Sequence, residues 1–275
     1  MANNPSSNSI TAIIIARNEE AMLANCLKTV AWCDDIIVID NGSHDATVEI
    51  AQEYDAQIIH FSSQSFAALR EAALAYVKTN WLFYLDADER VTPDLAKELQ
   101  VKIEVGVADA FCFHRKNFFF GQAFEFTGTQ KDWVTRVFLK SKLLGWHGSI
   151  HESPLFEGKT ERLVHPLWHF THRTTQDGLY KSADWTHREA QLLYKAAIPT
   201  VGFSVIVRKT VAEFFKKAIR DGGYRDGTAG LIESLIQGFN RALVYIQVWE
   251  LQRQPSISKR YKELEESLHS LWKKN

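Results

Sequence analysis

The sequence predicts an α/β fold: a mostly parallel sheet flanked by helices, with a helical C-terminal appendage. Three observations predict it. Short apolar runs alternate with longer amphipathic stretches over the first hundred residues; the run from Trp81 to Leu85 is apolar or aromatic at every position; and beyond about residue 174 the texture is helical. Strands separated by helices of this length imply right-handed crossovers and parallel pairing. A strand with no polar position is one covered on both faces.

The elements follow in order. Residues 10–16 read as a strand, 19–30 as a helix, 36–40 as a strand and 45–54 as a helix. The alternation repeats with a strand at 56–61, a helix at 66–77, the buried strand at 81–85, and a helix that Pro93 starts and that runs to about residue 105. After residue 108 come two strand-like segments, 110–114 and 135–139, around a loop rich in aromatics, among them Phe118, Phe119, Phe124 and Trp133. Helical segments are expected at 180–197, 203–220 and 230–253, punctuated by Pro199, Gly222-Gly223 and Pro255. The expected division is a short disordered lead at 1–9, a sheet domain at 10–173 and a helical region at 174–275.

Composition bounds the function. With 275 residues the chain can bury a large core, and 32 basic against 33 acidic residues give a net charge of -1, so no global field argues for nucleic acid. Cys26, Cys33 and Cys112 form no CxxC pair and leave an odd count, which points to a reducing cytoplasm and to small core residues. Residues 1–9 lack the basic start and apolar core of a signal peptide. The best candidate span, 229–251, is interrupted by Glu233, Asn240, Arg241 and Glu250, so a soluble or peripheral cytoplasmic protein is expected.

The chemistry gathers at three strand ends: Ala16-Arg17-Asn18-Glu19-Glu20, Asp40-Asn41-Gly42-Ser43-His44-Asp45 and Asp86-Ala87-Asp88-Glu89. In a parallel sheet they share one edge, the edge outside which ligands of open α/β sheets bind. Mg²⁺ or Mn²⁺ needs only one or two carboxylates together with substrate phosphates, so a cation and a diphosphate could meet at Asp86 and Asp88. Asp40 can accept from a base or a ribose, Gly42 allows a tight turn, and Ser43 can cap the next helix. The first turn lacks GxGxxG and the chain has no GxxxxGK[ST], which removes dinucleotide oxidoreductases and P-loop enzymes. Histidines are dense between His147 and His187, yet HExxH is absent, which argues against a zinc hydrolase.

The conjunction of an N-E pair after strand one, D-N-G-S after strand two and D-x-D after strand four resembles the inverting, Rossmann-like GT-A glycosyltransferases of family 2. Gly145-Trp146-His147-Gly148-Ser149-Ile150-His151-Glu152 and Gly223-Tyr224-Arg225-Asp226-Gly227 resemble the bacterial branch that holds lipopolysaccharide-core β-glucosyltransferases and related envelope-glycan enzymes. The resemblance implies a GT-A catalytic domain at 10–173 that moves a hexose from a nucleotide sugar, UDP-linked by expectation, to a saccharide or lipid-linked acceptor. Arg17, Glu19 and Asp40 would then serve the nucleoside, Arg70 a phosphate, Asp86 the ribose or the metal, and Asp88 the Mg²⁺ or Mn²⁺. Glu152 is the first choice for the base that activates the acceptor hydroxyl and Asp132 the reserve, while His151 would be a third metal ligand or would orient the base. One departure is Arg70-Glu71, where this branch more often has Arg-Asn. The competing class is a catalytically idle GT-A-like protein that binds nucleotide sugars or partners.

The helical tail leaves two surfaces to assign. Residues 203–220 mix Phe203, Val207, Val211 and Phe215 with Arg208, Lys209, Lys216 and Lys217, which suits either an interfacial helix or ordinary packing. Leu231, Leu235, Phe239, Leu243 and Ile246 form an apolar stripe that suits an oligomer contact.

Overall fold

The computed structural model describes residues 8–148 and 153–272. The chain separates into two compact units, one formed by residues up to 125 with 129–171, the other by 126–128 with the chain from 172 onward.

The first unit is built on the expected alternation: β1 (Ile10–Ala16), α1 (Leu23–Val30), β2 (Asp35–Asp40), α2 (Thr47–Glu53), β3 (Gln57–His60), α3 (Phe66–Leu74) and β4 (Trp81–Asp86). A two-residue β5 (Glu89–Arg90), α4 (Pro93–Val105), β6 (Ala110–Phe119), β7 (Gln122–Ala123) and β8 (Trp133–Leu139) follow. The short strands β9 (Leu143–His147), β10 (Ser153–Phe156), β11 (Thr160–Arg162) and β12 (Leu167–Phe170) complete it. The main sheet has the order β3-β2-β1-β4-β8-β6-β12-β5. Its first four strands are parallel, β8 lies antiparallel between β4 and β6, and β12 runs parallel to β6. Sheet and helices thus match the expected α/β class, with the far half mixed in direction.

Strand periodicity explains the core. Ile10, Ala12, Ile14 and Ala16 of β1 point to one face, where α1 and α4 bring Leu23, Leu27, Leu95 and Leu99. The alternate residues Ile13 and Ile15 point to the other, against Ala67, Leu69 and Ala73 of α3. A strand that buries both faces is apolar at nearly every position, which is why β1 and β4 read as they do; buried Thr11 of β1 satisfies its hydroxyl against Thr79 Oγ1 at 2.6 Å. Ser9, before β1, is already buried, and its carbonyl accepts from the Trp81 amide at 2.9 Å.

Helix α1 begins four residues later than its sequence suggests, and the cause is local. Asn18 adopts a left-handed backbone at φ 54°, and the amides of Glu19 and Glu20 donate to Thr47 Oγ1 and Asp45 Oδ2. Those groups serve the neighbouring loop and not a helical ladder.

The second unit holds α5 (Thr175–Lys195), α6 (Phe203–Phe215), a π-helical turn at Lys216–Arg220, a 3₁₀ turn at Gly223–Asp226, α7 (Gly227–Leu251) and α8 (Ile257–Trp272). Helix α7 packs against both α5 and α6, around Ala190, Val201, Val244, Tyr245 and Val248. Helix α8 was not anticipated; all of its residues lie near the surface, with none buried. Two polar ties add to this unit. The Asp226 carboxylate accepts from the Phe126 amide and from Thr127 Oγ1 at 2.7 Å, and buried Glu233 pairs with His172 Nδ1 at 3.1 Å. No helix among the described residues is long and apolar enough to cross a membrane.

The turn into α7 requires glycine by close approach. A Cβ on Gly230 would stand 2.1 Å from the Gly223 carbonyl oxygen, a backbone atom that cannot swing aside. Gly230→Ala is therefore expected to cost about 1–3 kcal/mol through overpacking. Thermal unfolding followed by helical circular dichroism checks it, and an unchanged midpoint would refute it.

Candidate active site

The carboxyl ends of β1, β2 and β3 are bound into one rim by side chains that cap backbone groups of the next loop. Asn18 N donates to Ser43 Oγ at 3.0 Å, His44 N donates to Asn18 Oδ1 at 2.9 Å, and Ala46 N donates to Glu20 Oε2 at 3.2 Å. Asn41 Oδ1 accepts from Ser63 N at 2.8 Å, which ties in the third loop. Gly42 turns at φ 78°, a backbone that L side chains rarely adopt. Arg17 is exposed on this rim and Glu19 half-buried.

Asp40 sits at the centre of the rim and is buried. Its Oδ1 accepts from Ser43 N at 3.0 Å and its Oδ2 lies 3.1 Å from His60 Nδ1. Burial works against its charge, but the Ser43 hydroxyl and amide and His60 outweigh that, and the carboxyl is held below the usual range. A carboxylate so fixed is an oriented acceptor for a sugar hydroxyl or a base N–H.

At the end of β4 the acidic turn meets arginines from three other elements. Asp86 Oδ2 is 2.6 Å from Arg136 Nη2 of β8, and Asp86 Oδ1 is 3.5 Å from Arg70 Nη2 of α3. Glu89, with no exposed surface, accepts from the Asp86 amide at 3.1 Å and faces Arg115 of β6 at 3.4 Å and Arg136 at 3.8 Å. Burial and the Asp86 charge push the Glu89 carboxyl up. Asp86 is held down: burial opposes its ionisation, but Arg136 and Arg70 prevail. Arg115 in turn grips Asp132 with two bonds, Nε to Oδ2 at 3.0 Å and Nη2 to Oδ1 at 2.8 Å.

From Asp132 the chain of contacts returns to the acidic turn. Asn117 Nδ2 donates to Asp132 Oδ2 at 2.8 Å, and Asn117 Oδ1 lies 2.6 Å from His169 Nδ1. The amide donates at one end, so its oxygen accepts at the other and the proton of a neutral imidazole resides on Nδ1. That leaves the Nε2 lone pair 3.6 Å from Asp88 Oδ1. Two electron-rich atoms side by side suit a cation between them. Among the described residues no group of three His, Cys, Asp or Glu side chains forms a metal cluster. A hard divalent cation needs none, since phosphate oxygens and water complete its shell.

The structure thus brings Asp86 and Asp88 together with Asp132, and ties the loops of Asp40 and Glu19 to each other. Arg70 is buried to 2 % exposure, its guanidinium 4.7 Å above the Trp146 ring as well as beside Asp86. Glu71, the departure in the Arg-Glu pair, accepts from the Trp146 amide at 3.0 Å and so anchors β9. His151 and Glu152 lie outside the described residues. Sequence reasoning missed Glu89, Arg115, Asn117 and Arg136 as a set, and it gave His169 no individual role. The signal for two of them was the polar run His114-Arg115-Lys116-Asn117 within an apolar and aromatic strand, whose period of two places Arg115 and Asn117 on one face.

Sheet, capped rim and acidic turn define an α/β protein with a polar edge at the carboxyl ends of its parallel strands. The chain belongs to glycosyl transferase family 2, whose model matches residues 11–174, as the motif resemblance implied. It is related to the lipopolysaccharide core biosynthesis glycosyltransferase LpsC of Rhizobium meliloti (strain 1021), 23% identical over 260 residues that cover 90% of this chain and 96% of LpsC. A TPR repeat-containing protein of Synechococcus elongatus is 34% identical over 115 residues, 41% of this chain but only 28% of that longer protein. Among solved structures, Staphylococcus aureus TarS 1-349 in complex with UDP-GlcNAc superposes with a TM-score of 0.48 at 13% identity, covering 90% of this chain and 92% of TarS 1-349.

The Asp132–Arg115 pair makes a pH prediction. Burial opposes the charge on Asp132, but Arg115 and Asn117 hold its carboxyl below the usual range. A depressed carboxylate contributes stability above its unfolded value, about 3.9, and loses it as pH falls through the folded value. Urea unfolding of wild type and Asp132→Asn should therefore differ most near neutrality and converge on acidification below about pH 4. A difference that is constant with pH would refute this.

Proposed function

We propose that this family 2 glycosyltransferase moves a hexose from a UDP-linked sugar, with inversion and formation of a β-glycosidic bond, to a saccharide or lipid-linked acceptor of the cell envelope. The observation that carries the reading is the juxtaposition of Asp88 Oδ1 and His169 Nε2 beside Asp86, at the edge where the capped loops present Asp40. Relatedness to LpsC along nearly its whole length supports the envelope acceptor and, with it, a place at the inner face of the cytoplasmic membrane.

Each residue has a role in this reading. Asp40 accepts a hydrogen bond from the uracil or the ribose, with Glu19 and Arg17 at the same rim. Asp86, aimed by Arg136 and Arg70, receives the ribose or a water of the metal shell. Asp88 and His169 fit a divalent Mg²⁺ or Mn²⁺, and Asn117 fixes the imidazole tautomer that such a ligand requires. The cation supplies neutralisation of the charge that builds on the departing diphosphate. Asp132 serves as the anchor of Arg115 and Asn117, since both its oxygens accept strong bonds. That leaves Glu152 as the base for the acceptor hydroxyl, with His151 beside it to orient it or to join the metal shell.

Calorimetric titration with UDP, with and without Mn²⁺, tests the donor half. Asp88→Ala should abolish the metal-dependent part of UDP binding, and His169→Ala should weaken it by more than the roughly 10–100-fold typical of losing a ligand's outer-shell partner. Unaltered binding in both would remove the pair from the site. Glu152→Gln should lower sugar transfer by roughly 100-fold or more while sparing UDP affinity, as loss of a general base does; retained turnover would move the base elsewhere.

A further inference from the structure

The α6–α7 hairpin carries an apolar face that its own packing leaves uncovered. On α6, Phe203, Val207, Val211 and Phe215 are exposed and recur every four positions, and Ile219 continues the row into the π-helical turn. On α7, Leu231, Leu235, Phe239, Leu243 and Ile246 are exposed at three- and four-residue spacing.

The two rows make one surface. The helices run antiparallel, with Phe214 and Thr210 against Gly238, Glu213 beside Arg241, and Lys209 above the Tyr245 ring. On α6 the exposed Val211 and Phe215 stand one residue past the contact positions Thr210 and Phe214. On α7 the exposed Phe239 and Ile246 stand one residue past the contact positions Gly238 and Tyr245. One residue is a rotation of about 100°, and equal rotations on antiparallel neighbours turn to the same side. The 25 residues of α7 make this face roughly 37 Å long at 1.5 Å per residue. A contiguous apolar surface of that extent marks an interaction site, unlike scattered exposed leucines.

Charge selects the occupant. Arg208 flanks the α6 row, Arg225 stands at the turn, and Arg253 lies over the Trp249 ring at the far end of α7. The hairpin's carboxylates are mostly engaged within the unit: Glu213 with Lys216, Asp221 with Lys217, Asp226 with Phe126 and Thr127, and Glu233 with His172. Glu250 is the exposed exception, three residues before Arg253 in the sequence. With eight Lys and Arg against five Asp and Glu over residues 203–253, the hairpin carries net positive charge and meets like charge when apposed to itself through a two-fold axis. Anionic headgroups complement it. We propose that the α6–α7 face seats on a lipid bilayer containing anionic lipid, with the apolar rows at the acyl boundary and the arginines among the headgroups. The proposal stands on the second unit alone and does not depend on the transferase reading.

Co-sedimentation of the full chain with vesicles tests it. Binding is expected to vesicles of phosphatidylcholine with phosphatidylglycerol, not to phosphatidylcholine alone, and should weaken as salt rises. The double variant Val211→Asp with Phe239→Asp should lose binding, and Arg208→Glu, which leaves the apolar rows intact, should weaken it several-fold. Circular dichroism and thermal unfolding of each variant read its folding independently of the vesicles. Absence of wild-type binding to the anionic vesicles, or binding that none of these substitutions alters, overturns the proposal. So does a wild-type dimer in light scattering that the double variant converts to monomer without any vesicle binding, which would assign the face to a second copy.

Discussion

The first unit depends on one electrostatic constraint: Asp86, Asp88 and Glu89 are crowded into four residues at the end of a buried strand, and Glu89 has no exposed surface. Carboxylates so close repel one another, and an uncompensated buried charge costs several kcal/mol or more. The structure answers with guanidiniums. Arg136 and Arg115 come from β8 and β6, and Arg70 comes from α3. The antiparallel insertion of β8 between β4 and β6 is what brings the first two beside the acidic turn. Asp86 stays ionised and the more buried Glu89 is pushed toward its neutral form.

The same edge is stiffened by side-chain-to-backbone hydrogen bonds at the other strand ends. Asn18, Glu20, Ser43, Asp45 and Thr47 exchange side-chain and backbone bonds across the loops after β1 and β2. Loops held in this way have less freedom to lose when a ligand binds, which is the physical content of preorganisation. Asp40 gains most from it, because its carboxylate is oriented before anything arrives.

The sheet and the acidic edge were legible because their causes are local. The all-apolar β4, the alternation of β1 to β4 and the carboxylates at strand ends follow from strand periodicity and from where loops leave a parallel sheet. The network behind them was not legible. Arg115, Asn117, Arg136 and His169 lie on β6, β8 and β12, and only long-range antiparallel and parallel pairing aligns them with residue 88. The start of α1 was misplaced for a related reason: the amides of Glu19 and Glu20 bond to residues 47 and 45, a competition that no helical periodicity reveals. Helix α8 lay hidden behind Pro255, although Ile257, Tyr261, Leu264, Leu268 and Leu271 repeat at three- and four-residue spacing.

The continuity of the polar chain bears on how the site would respond to its ligand. Contacts run without a gap from Arg70 through Asp86, Arg136, Glu89, Arg115, Asp132, Asn117 and His169 to Asp88. Each member fixes the next: the bidentate Arg115 pair sets Asp132, Asp132 sets the Asn117 amide, and that amide sets the imidazole tautomer. A single neutral link, Asn117, therefore decides whether His169 turns a lone pair or a proton toward Asp88. Buried networks of this kind are strong when every member is satisfied and fail together when one is removed. Orientation at Asp88 is thus specified by strands well separated from it in sequence, and the acidic turn alone cannot supply it.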